Sequence, residues 1–203
     1  MAIISSISDP ATIAARRTGV AHALTATGVV LALNGALLGS RLFLDSRDYS
    51  EVAASGLHLT HYLVWTLCLV ALSQLYPRLR SLNDAGSRLS TTALVVAGAG
   101  AALDACARFV SAFVTPYLAA QQPAMVDGTP DAILLVPLLA TGAVAMVGAA
   151  MVGVSGWRHR VFPRAAAALL VLGGVAIPVL GPVSNVLLGG ALAWIGLSAG
   201  ARR

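Results

Sequence analysis

The sequence predicts an all-α membrane protein, a polytopic bundle of about six transmembrane helices with both termini in the cytoplasm. Three observations carry that expectation. Of 203 residues, 58% are hydrophobic and 10% charged, against about a quarter charged in a typical soluble domain, and mean hydropathy is +0.83. The apolar residues gather in blocks near the ~20 needed to cross a bilayer core. The arginines fall almost entirely at alternate ends of those blocks.

Taken in order, residues 1–16 read as an N-terminal tail. No basic stretch precedes an apolar core there and no small-residue cleavage site follows, so a signal peptide is not expected. Residues 17–200 form one transmembrane domain. Its spans fall at about 18–39, 56–76, 91–115, 132–154, 164–180 and 183–200. The first contains "GALLG" at 35–39 and the third "AGAGAA" at 97–102, small-residue runs that let helices approach closely within the bundle. Pro137 and Pro178 are expected to kink the fourth and fifth spans. The last two spans are short and joined by Gly181-Pro182.

All thirteen basic residues are arginine. Without lysine, no side-chain amine exists to form a Schiff base. Arg16, Arg17, Arg78, Arg80, Arg88, Arg158, Arg160, Arg164, Arg202 and Arg203 share one side of a six-span bundle. Arg41 and Arg47 take the other side with Asp45, Asp48, Glu51, Asp127 and Asp131, and Arg108 lies within a span. The positive-inside rule puts the arginine-rich side in the cytoplasm of a plasma (inner) membrane. Because the charge serves topology, nucleic acid is not an expected partner; membrane lipids and a lipophilic small molecule are. Cys68 and Cys106 fall within spans and read as packing residues. "GVSGW" at 153–157 contains a GxSG of the kind rhomboid proteases use. Ser155, however, lies at a span end, and the sixth span has no histidine to serve as its base.

Inside the membrane, depth follows from a rise of ~1.5 Å per residue. Asp104 is placed roughly at the midplane and Arg108 roughly 6 Å further out. His61 and His58, on the span running the other way, are placed roughly 7 and 12 Å outside the midplane. Asn34, Ser184 and Asn185 also fall on the outer half; His22 alone is on the inner half. Asp104, Arg108, Ser111 and Thr115 recur at i, i+4, i+7 and i+11, and His58, His61, Tyr62 and Trp65 form a second stripe. Two polar stripes at matching depth can enclose a pocket opening outward. Ionisable residues at mid-bilayer mostly line pathways or sites, although an Asp104–Arg108 pair can also serve only to neutralise two buried charges.

Acid–base chemistry on a lipophilic substrate suits this inventory. Asp104, His61 and Arg108 are the candidate catalytic residues; His58, Tyr62, Trp65, Asn34, Ser111, Thr115 and Asn185 are the candidate substrate contacts. Tyr62 and Trp65 offer π faces to a cationic carbon. His58 and His61 could sit on one side of a metal, but zinc or di-iron needs more ligands than Asp104 can add, so no metal and no cofactor is expected. In length, span count, the membrane-embedded Asp104 and the aromatic-lined stripe, the chain resembles the small integral-membrane terpene cyclases. Bacterial members of that family cyclise farnesylated indole diketopiperazines. The resemblance implies protonation of a prenyl alkene or epoxide followed by cation-driven ring closure. The chain departs from the fungal members, which have seven spans and a paired Glu and Asp, because its sole glutamate, Glu51, lies in an outer loop. Two other classes remain open: a small proton- or cation-coupled transporter or channel using Asp104, His58 and His61, and a non-catalytic membrane scaffold.

Overall fold

The computed structural model describes residues 10–82, 88–128, 132–177 and 181–201, and these contain helices and no strand. Helix α1 (Pro10–Leu33) continues through a π-helical stretch, Asn34–Gly39, into a last turn, α2 (Ser40–Phe43). Short α3 (Tyr49–Ala53) leads to α4 (Gly56–Arg78). Then follow α5 (Thr91–Gln121), short α6 (Pro123–Asp127), α7 (Ala132–Arg158), α8 (Arg164–Ala176) and α9 (Gly181–Gly200). Residues 10–16, read as tail, belong to α1; residues 1–9 lie outside the described residues, as do Asp131, Pro178, Arg202 and Arg203.

Five helical segments are long and apolar enough to cross a bilayer: Ala11–Phe43, Gly56–Ser81, Thr91–Gln121, Leu139–Arg158 and Gly181–Gly200. The chain is thus a multi-pass membrane protein. The block expected as a fifth span is different. Its helix, α8, has 13 residues and a length of about 20 Å, short of the ~30 Å core. A proline near a helix start presets the first turn, and Pro182, second in α9, fixes where the next helix begins.

The helices pack in a ring that follows chain order. α1 lies against α9, α9 against α8, α8 against α7, α7 against α5, α5 against α4, and α4 closes on α1 and its π-helical stretch. Small residues bring the backbones together. A Cβ added at Gly100 of α5 would stand 2.6 Å from Ala145 Cα and 2.7 Å from Ala145 N of α7. Gly28 of α1 is held against Gly189 and Ala193 of α9 in the same way, and Gly35 against Pro182 and Asn185. The glycine pair at 35–39 therefore packs within the chain. A backbone obstacle cannot rotate aside, so Gly100→Ala should cost about 1–3 kcal/mol, read as a lowered midpoint of thermal unfolding in detergent. At Gly190, where nothing lies within 4 Å of an added Cβ, alanine should leave the midpoint unchanged or raise it.

The connections are pinned by polar contacts. At one end Ser50 donates its backbone N–H and its hydroxyl to the two carboxylate oxygens of Asp127, each at 2.7 Å, tying α3 to α6. At the other end Arg80 donates to the Leu89 carbonyl at 2.8 Å and to the Thr91 hydroxyl at 2.6 Å. The Ser155 hydroxyl accepts from Ser90 N–H at 3.1 Å, so the serine of "GVSGW" joins α7 to the start of α5. α7 ends in a Schellman turn, with Val161 N–H to Gly156 O at 2.9 Å and Arg160 N–H to Trp157 O at 3.1 Å. Arg160 takes the left-handed position, φ 55°.

Candidate functional site

At the end of the ring that carries α3, a cavity of about 450 Å³ opens between the helices. The α4 face supplies His58, His61, Tyr62 and Trp65, and their rings form a stepped wall. His58 and Tyr62 centroids are 4.5 Å apart, His61 and Tyr62 5.0 Å, His61 and Trp65 5.5 Å, and Tyr62 stacks with Trp65 at 6.0 Å. The spacing i, i+3, i+4, i+7 is what places all four on one helix face. Small residues opposite leave room for the rings. A Cβ at Gly39 would come within 2.8 Å of His61 Cε1, and one at Gly181 within 3.3 Å of Trp65.

Arg108 of α5 also lines the cavity, its guanidinium 4.1 Å from the centre of the Trp65 ring. One nitrogen lies 3.0 Å from Asp104 Oδ1. That approach is an ion pair by distance and is too poorly aligned for a hydrogen bond, since neither Asp104 Oδ1 nor Arg108 Nε has a hydrogen-bond partner. Asp104 is 1% exposed and absent from the cavity wall, so it stands behind Arg108. The Asp104 carboxyl is thus screened from the cavity, while its partner lines it.

The two stripes do meet. His58 Nε2 lies 2.9 Å from the Ser111 carbonyl, joining α4 to α5, while the Ser111 hydroxyl donates to Ala107 O at 3.2 Å. Of the ten candidate residues, His58, His61, Tyr62, Trp65 and Arg108 share the cavity. Asp104, Asn34, Ser111, Thr115 and Asn185 do not line it. Asn34 and Asn185 are buried in α1's π-helical stretch and in α9, and their side-chain amides have no hydrogen-bond partner. His22 is exposed on α1.

Several wall residues escaped the sequence reading. Phe43 at the end of α2, Asp45 and Arg47 after it, and Tyr49 opening α3 contribute to the wall. The Arg47 backbone and guanidinium donate to Asp45, the latter at 3.0 and 2.7 Å. Those bonds hold the Asp45 carboxyl down at about 2. The Tyr49 ring meets His58 edge-on at 6.1 Å, and burial, with Tyr62 alongside, pushes its phenol pKa up. An aromatic residue in an otherwise charged loop was the one available signal for Tyr49. Among the described residues, no three His, Cys, Asp or Glu side chains gather closely enough to hold a metal ion. No protein-family model, curated protein or solved structure matches the chain.

Proposed function

We propose that this protein is an integral-membrane enzyme of the terpene-cyclase type, which takes the prenyl part of a lipophilic substrate into the aromatic cavity and starts ring closure with acid. The observation that carries the reading is a ring-walled volume of about 450 Å³ ending at a buried carboxyl–guanidinium pair. Cavities of this size hold small-molecule ligands, and ring faces steady positive carbon.

The pair sets a condition on the chemistry. While Arg108 stands against it, the Asp104 carboxyl is engaged by the guanidinium. A substrate epoxide or carbonyl oxygen entering the cavity offers Arg108 another acceptor. Once the guanidinium turns to it, the Asp104 carboxyl is released from its partner. Asp104, in its acid form, then gives its proton to the alkene or epoxide, the π electrons close the ring, the last carbocation loses one proton to His61, and His61 returns that proton to Asp104 for the next turnover. The sum is an isomerisation, with no electrons gained or lost. Purified protein in nanodiscs, given a farnesylated indole, should yield a product of unchanged mass and new retention time. Folded protein that neither binds nor converts prenylated indoles sinks the reading.

The same proposal places both termini in the cytoplasm of the plasma membrane, with the α8 segment counted as a sixth crossing. In a Cys68→Ala/Cys106→Ala background, cysteines at Ser46 and Gly128 should react with an impermeant thiol reagent on intact cells, and one at Ser81 should not. The opposite labelling pattern reverses the orientation.

A further inference from the structure

A second hollow, of about 480 Å³, runs along the outside of the bundle where α5, α7 and α8 meet. Its long wall is one face of α7: Met146, Val147, Ala150, Met151, Val154 and Arg158. The spacing keeps these side chains in register down the helix, and the small Ala150 side chain leaves the floor open. Val147 and Val154 are 45% and 56% exposed, so the groove faces the bilayer. From Met146 to Arg158 it extends about 18 Å, close to the ~15 Å thickness of one leaflet's hydrocarbon.

The two ends differ chemically. The Met146 end is apolar. The other end has exposed Arg158 and His159 with Ser90 beside them, and Arg160 and Arg164 follow in the same connection. An apolar trough one leaflet long, closed at its interfacial end by cations, matches one acyl chain joined to a phosphate.

We propose that this groove is a binding site for an anionic phospholipid, with an acyl chain along α7 and the phosphate at Arg158 and His159. Juxtamembrane arginines favour anionic lipid by about fivefold each. The site is separate from the aromatic cavity and stands whether or not that cavity performs cyclisation.

The test uses the full chain in detergent, with dioleoyl phosphatidylglycerol, dioleoyl phosphatidylcholine and inorganic phosphate as probes. Native mass spectrometry and thermal unfolding provide the readouts. Phosphatidylglycerol should be retained at least fivefold better than phosphatidylcholine and should raise the unfolding midpoint, with inorganic phosphate doing neither. Arg158→Gln should remove the preference for the anionic lipid, and Ala150→Phe should reduce retention of both lipids by filling the floor. Equal retention of the two lipids by wild type, or an unchanged preference in folded Arg158→Gln protein, overturns the proposal. So does efficient disulfide cross-linking between two copies through Val154→Cys in the cysteine-free background, because a second chain would then occupy the groove.

Discussion

Asp104→Asn should lower product formation from a prenylated substrate by orders of magnitude while leaving a folded protein. The substitution keeps the shape of the side chain and removes its capacity to supply a proton. Among the described residues the cavity wall carries one carboxyl, Asp45, and Arg47 holds it as carboxylate. Arg108 keeps its place over Trp65, so the cavity wall survives and substrate affinity should change little. That split, with turnover lost and binding retained, separates an acid from a structural residue. Trp65→Ala should alter the distribution of products more than the rate, because the ring steadies cationic intermediates after protonation. Full turnover in folded Asp104→Asn protein excludes Asp104 as the acid, and the cyclase reading falls with it.

Arg108→Ala should be the most damaging single substitution to stability around the aromatic cavity. It strands a carboxyl that is 1% exposed and removes the cation from the Trp65 face. Breaking a buried ion pair by deleting one partner costs about 3–5 kcal/mol. Partial access to the Arg108 side chain, 14% exposed, argues for the lower end, about 3 kcal/mol. The double variant Asp104→Asn/Arg108→Gln removes both charges and leaves two neutral groups four residues apart on α5. It should recover most of the loss seen with Arg108→Ala. Thermal unfolding of the wild type, Asp104→Asn, Arg108→Gln and the double completes the cycle, and strictly additive losses would show that the two side chains are not coupled.

Composition and local helix geometry determined much of this protein from the sequence alone. Apolar blocks of span length predicted the membrane helices because a chain in hydrocarbon must satisfy its backbone within each segment. The α4 and α5 stripes were equally legible, since 3.6 residues per turn is a local rule that brings His58, His61, Tyr62 and Trp65 onto one face. The wall they form follows directly. What lay beyond the sequence depends on which helices become neighbours. Ring closure sets Asp104 behind Arg108 while its stripe partner enters the cavity, and helical periodicity does not distinguish those two depths from the axis. It also brings Tyr49, at the start of α3, against His58. The π-helical stretch Asn34–Gly39 has the same origin. A wider turn displaces side chains from ordinary helical register, and there Gly35 meets Pro182 and Gly39 faces His61. Contacts between residues far apart in the chain decided these features, and no local pattern encodes them.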